Sequence, residues 1–219
     1  MADRLNTRIA ALIEILLVPA ITVGHHVFHI VPLDETYPIF VLGWISLRLR
    51  KVGWKAVGFS APGNWMRVLG LGIGAGILLQ LLSSFVTEPM IAWFTHQIPD
   101  VAEFRPLVGN LKLVLLYFVL VWTVAAFGEE LTYRGYILNR AADLGGRTIL
   151  AWAVALAFGS SLFAFGHSYQ GIAGMIDTGI HGLILGVVYF LTGRNLWACI
   201  ITHGVSDTIA IALVFAGHL

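Results

Sequence analysis

Charge is scarce in this sequence. Only 11% of its residues are Asp, Glu, Lys or Arg and 58% are hydrophobic, whereas an ordinary soluble domain carries about 25% charged residues. That balance excludes a water-soluble domain. Cysteine is nearly absent: Cys199 stands alone in an apolar run, which excludes an internal disulfide. A net charge of +1 provides no field for nucleic acid, so no nucleic-acid partner is expected. No repeat or low-complexity segment appears. The patterns His-Glu-x-x-His, Gly-x-Gly-Asp and Gly-x-Ser-x-Gly are missing, which removes several kinds of membrane hydrolase.

What is present is apolar length. The runs 9–31, 68–95, 111–128, 149–165, 172–192 and 196–216 mostly meet the roughly 20 residues that a spanning helix requires. "YPIFVLGWISLRL" is shorter and reads as a tilted or partial span. The expectation is an all-α polytopic membrane protein, a bundle of six to seven transmembrane helices forming one membrane domain over 1–219. The N-terminal run is too long for a secretory signal and reads as the first anchor. Gly182 and Gly186 have the Gly-x-x-x-Gly spacing that lets a neighbouring helix approach closely.

The basic residues are distributed asymmetrically. Arg4, Arg8, Arg48, Arg50, Lys51, Lys55, Arg67, Arg140, Arg147 and Arg194 all fall on one face of the alternating spans, and the opposite face holds Arg105 and Lys112. The positive-inside rule therefore places the N-terminus and the basic loops in the cytoplasm.

Charges inside apolar helices are costly, about 2.5–3.5 kcal/mol each on insertion scales, and so turn toward a protein interior or a wet cavity. The stretch "AFGEELTYRGY" (126–136) sets two glutamates and an arginine into a membrane helix. Glu130 and Arg134 are four apart, share a face and can pair. Glu129 is rotated about 100° away and lacks that partner. "SLFAFGHSYQG" ends a helix at His167, with Phe163 one turn earlier. "LWACIITHGVSDTIA" places His203 and Asp207 four apart, where the acid can orient the ring. Each feature alone also fits a structural pair or a helix end. Together, on three helices of one bundle, they fit water activation by a carboxylate with histidine assistance, or a Zn²⁺ site.

The order Glu-Glu-x-x-x-Arg, Phe-x-x-x-His and His-x-x-x-Asp resembles the CAAX protease and bacteriocin-processing family of intramembrane proteases. "HGLILGVVYFLTGRNLWACIITHGVSD" is similar to that family's last two helices, and the likeness spans about 110–210. The resemblance implies an intramembrane peptidase acting on a membrane-associated peptide, either a prenylated CAAX-type protein or a small leader-type peptide. It implies Glu129 as general base on water, His167 holding that water, and His203 with Asp207 facing the scissile carbonyl. Glu130 and Arg134 would be the supporting pair, with Phe163 beside them. Family members include metal-free glutamate proteases and metalloproteases. No cofactor is favoured; a zinc ion would take Glu129, His167 and His203. The partners implied are membrane lipid and a peptide or lipidated protein substrate. In eukaryotic CAAX endopeptidases the final position is Asn, so Asp207 departs from that pattern. The competing readings are a non-catalytic scaffold or bacteriocin-immunity-type protein of the same fold and, less in keeping with the absence of inverted repeats, a proton-coupled transporter.

Three further expectations follow. Glu129 and His203 lie within a few turns of basic loops, so the site should open toward the cytoplasm. A simple hairpin turning near residue 143 would leave Glu129 and His167 at depths differing by about 15 Å, unless Gly135 or the stretch 141–150 breaks it or the fifth helix tilts. Of the remaining polar groups, His25, His26 and His29 read as interfacial, with an alternative in which His25 and His29, four apart, bind a metal; Asp177 with His181 reads as a structural pair, the alternative being that they line the same cavity; Glu14 and Glu88 read as reaching headgroups.

Overall fold

A computed structural model describes residues 7–218 and contains no strand among them; Arg4 lies outside the described residues. The helices are α1 (Arg8–His26), α2 (Thr36–Leu49), α3 (Trp65–Thr95), α4 (Leu111–Leu144), α5 (Ile149–Gly166), α6 (Ser168–Leu191) and α7 (Leu196–Phe215). All but α2 are long and apolar enough to cross a membrane. The chain is an all-α polytopic membrane protein, and the short α2 is the partial span anticipated from its length.

The helix starts are fixed locally. Thr7, Asn64, Asn110, Thr148 and Asn195 each accept a backbone N–H of the first turn of α1, α3, α4, α5 and α7. These side chains satisfy donors that a helix end otherwise leaves bare. Outward faces carry large apolar groups such as Leu16, Leu78, Leu116 and Leu191, all exposed, as suits contact with lipid. The inward faces mix small and polar groups with large apolar ones such as Ile39, Ile137, Leu185 and Tyr189.

Glycines set the close approaches. A Cβ on Gly72 would lie 2.7 Å from Ile201, and one on Gly76 would lie 2.6 Å from the Thr202 carbonyl oxygen, so α3 is seated directly against α7. The predicted Gly182 and Gly186 pack on α5 at Ser160 and Leu156. We expect Gly76→Ala to destabilise by about 1–3 kcal/mol, because helix backbone cannot yield as a side chain does. Gly74→Ala, on the same helix, meets no atom within 4 Å and should be neutral or slightly stabilising. Thermal melts of the two variants in detergent check this; equal melting temperatures would contradict the packing.

At the basic end, a buried polar cluster joins α1, α2, α4 and the loop after α4. Glu14 accepts from Arg140 Nη2 at 2.7 Å, from Ser46 Oγ at 2.6 Å and from Tyr136 Oη at 3.0 Å. Asp143 accepts from Arg140 and Arg147. Glu14 therefore does not reach headgroups. Arg140, at 1% exposure, is a buried cation that Glu14 and Asp143 both compensate.

α4 departs from α-helical winding. Residues Val121–Ile137 form i→i+5 hydrogen bonds, ending with the Leu138 N–H on the Tyr133 carbonyl. A second such turn, Ser83–Thr87, lies in α3. Wide turns of this kind recur at functional sites, and both border the central cavity.

Candidate active site

The helix bearing the two glutamates runs unbroken through Gly135 to Leu144. The hairpin is therefore intact, and its break falls only in the 145–148 connection. The position of the turn removes most of the expected depth difference: Glu129 lies 15 residues before the end of α4 and His167 18 residues after the start of α5, which leaves about 5 Å at 1.5 Å per residue, and side-chain direction narrows it further. Side chains lean toward the N-terminus of their own helix. α4 and α5 run in opposite directions, so Glu129 leans toward the α5 end that carries His167, and the His167 ring leans back. His167 Nδ1 lies 2.8 Å from the Phe163 carbonyl, one turn earlier, which folds the ring over that turn.

Glu130 is fully buried. Its Oε1 accepts from Arg134 Nη1 at 2.8 Å and faces His203 Nδ1 at 2.9 Å. Arg134 also donates Nη2 to the Gly182 carbonyl at 3.0 Å, and its guanidinium lies 4.9 Å from the Phe163 ring centre. The expected pair is present, and it additionally grips His203. On the other side of that ring, Nε2 lies 3.3 Å from Asp207 Oδ2 and 3.9 Å from Glu129 Oε2. Phe163 stands between the two histidines, its ring 4.7 Å from His167 and 6.0 Å from His203. Glu129 Oε2 is buried without a hydrogen-bond partner.

Glu129, His167, His203, Asp207 and Phe163 all line one cavity of about 500 Å³. Its walls are otherwise mostly apolar, from Leu79, Tyr117, Val121, Leu185 and Ile211. A water held there would meet a carboxylate with a free acceptor and two imidazoles. That is a setting for general-base chemistry on a bound carbonyl.

Residues 111–209 match the family model described as type II CAAX prenyl endopeptidase Rce1-like. This segment resembles an Rce1-like domain. The match contains Glu129 through Asp207, which is the region in which the motifs were read. No curated protein and no solved structure matched the chain. The Rce1-like family is one of CAAX-type intramembrane proteases, so the chain is an integral membrane protein with a protease-family core.

The cavity wall brings in polar groups that the motifs did not include. Asp177 accepts from Thr87 Oγ1 at 2.5 Å and from Ser83 Oγ at 3.1 Å, and lies 3.5 Å from His181 Nε2. Ser206 donates to Gln80 at 3.1 Å. Asp177 and His181 form a pair and also line the cavity, so the two readings of them hold together. Glu88 bonds Ser83 and faces the cavity too, so its expected role at headgroups is not met. The signal was legible: residues 80, 83, 84, 87 and 88 form a polar stripe at helical spacing within an apolar helix.

From the glutamates the cavity runs to Asp34, Pro99 and Val101, in the loops opposite the basic ones, whereas the expected opening was toward the basic loops. Helix direction decides this: His167 ends α5, and the wall continues through Ala210 and Val214 toward the end of α7.

The zinc alternative fits this centre poorly. Among the described residues, the one set of three His, Cys or acidic side chains with ligand atoms all within 4.8 Å is His25, His26 and Glu35, away from Glu129, His167 and His203. We derive no catalytic step through a metal.

Proposed function

We propose that this protein is an intramembrane endopeptidase in which Glu129 activates water against a peptide bond. The observation that carries the reading is Glu129 Oε2, buried on the cavity wall with no hydrogen-bond partner, 3.9 Å from His203 Nε2. Glu129 takes a proton from water, and the hydroxide oxygen bonds to the scissile carbonyl carbon. His167, with Nδ1 committed to the Phe163 carbonyl, leaves Nε2 to hold that water. The oxyanion forms beside His203, which in its doubly protonated form would donate Nδ1–H to Glu130 and Nε2–H toward Asp207 or the oxyanion. Asp207 orients the ring. The proton on Glu129 then passes to the departing amine as the C–N bond breaks. Glu130 and Arg134 fix His203.

The substrate class this cavity suits is a membrane-associated peptide, prenylated CAAX-type or leader-type, reaching the site from bilayer or loops. The test is cleavage of pooled farnesylated and unmodified membrane-anchored peptides by purified protein in lipid, with and without chelator. Cleavage that persists in chelator supports the glutamate mechanism. Cleavage abolished by chelator and restored by zinc, in wild type and in His25→Ala alike, would overturn it.

The proposed orientation keeps the basic loops in the cytoplasm and opens the cavity on the other side. Cys199 is buried, so an introduced cysteine would be the one accessible thiol. Gln97 and Lys55 are both exposed, in loops at opposite ends of the bundle. On intact cells, an impermeant maleimide should label Gln97→Cys and should reach Lys55→Cys only after permeabilisation. The converse pattern would invert the protein in the membrane.

A further inference from the structure

We propose that His25, His26 and Glu35 bind a divalent transition-metal ion, zinc by their donor types, at the cavity-mouth end of α1. Two adjacent histidines close α1, and the chain then doubles back: the Ile30 N–H bonds the Gly24 carbonyl at 2.9 Å. His29 takes a positive φ of 52° within this turn. The reversal returns Glu35, at the start of α2, to the two rings. Their ligand atoms all lie within 4.8 Å of one another. His29, the partner that sequence spacing offered to His25, is exposed and outside the group.

Hydrogen bonding prepares both rings. His25 Nδ1 lies 2.8 Å from the Val31 carbonyl. A carbonyl only accepts, so Nδ1 carries the hydrogen and Nε2 keeps its lone pair. This is the second-sphere arrangement that orients a ligating histidine. His26 Nδ1 lies 3.4 Å from Ser168 Oγ, and its Nε2 lies 2.9 Å from Glu35 Oε2. Two lone pairs cannot face each other at that distance without a cation between them. A proton serves for one histidine. An ion serves for both, together with a carboxylate that is 3% exposed. Two imidazole nitrogens and one carboxylate oxygen form a three-ligand zinc set with an open position, whereas calcium and magnesium favour sets composed of oxygen.

The site would brace the wall next to His167. Gly166, the last residue of α5, packs on Glu35 so closely that a Cβ there would collide with the carboxylate and lie 3.4 Å from Tyr133 Oη. Ser168, on the far side of His167, contacts His26. An ion at this point joins α1, α2 and the α5–α6 turn.

The test is zinc titration of purified, chelator-stripped protein in detergent, followed by calorimetry and by the visible spectrum of the cobalt-substituted form. Wild type should bind one equivalent and melt at a higher temperature with zinc. His25→Ala and Glu35→Gln should lose that equivalent, and His203→Ala should keep it. If Glu35→Gln does not fold, His25→Ala, at a ring that is only partly buried, carries the test. No binding by wild type, an unchanged stoichiometry in His25→Ala, or loss in His203→Ala alone would each overturn the assignment.

Discussion

Glu129→Gln should lower peptide cleavage by about 100- to 10,000-fold, the range that a positioned general base contributes, with little loss of folded protein. The asymmetry between the two glutamates is the reason. Glu129 Oε2 has no hydrogen-bond partner and only a 3.9 Å contact with His203, so its replacement breaks no hydrogen bond there, and the amide cannot take a proton from water. Glu130→Gln should behave differently. It removes the charge that holds Arg134 and His203, at 2.8 and 2.9 Å, and stability and activity should fall together. Melting temperature and single-turnover cleavage, measured on the same preparations in lipid, separate the two outcomes. Cleavage by Glu129→Gln at the wild-type rate would leave Glu129 a structural charge and remove the proposed mechanism.

Arg134→Ala should cost about 3–5 kcal/mol, the scale found when one partner of a buried ion pair is removed. Arg134 is 3% exposed and Glu130 is completely buried. The substitution strands the carboxylate in the bundle interior, leaves the Gly182 carbonyl without its donor and takes the cation from the Phe163 face. Arg134→Lys should recover part of the loss, since one ammonium cannot reproduce both guanidinium contacts. The double variant Glu130→Gln with Arg134→Met should be more stable than Arg134→Ala, because it leaves no lone buried charge. The measurement is thermal unfolding in detergent followed by size exclusion. A melting temperature for Arg134→Ala equal to that of wild type would show that the pair is solvated in a way this burial does not allow.

The sequence by itself determined the class of the protein. Lipid offers the backbone no hydrogen bonds, so long apolar runs with few charges had to become helices, and all six spans formed. The ion pair of Glu130 with Arg134 and the contact of His203 with Asp207 were also legible, because four-residue spacing on a helix fixes neighbours before any tertiary packing exists. The three motifs marked which helices would meet. Tertiary structure decided how they meet. That Glu130 would hold His203 as well as Arg134 depends on the seating of α7 against α4, a relation between residues 73 positions apart. Glu14 and Glu88 looked like headgroup residues because their partners, Arg140 and Ser83, come within reach only through helix packing and an i→i+5 turn. The direction of the cavity mouth was invisible for the same reason: distance along the chain to a loop says nothing about which end of a bundle its packing leaves open. His25, His26 and Glu35 met only because the chain reverses after α1 and returns an acidic residue to two rings. Local periodicity specifies what lies on each helix face, and only the packed bundle specifies what that face looks upon.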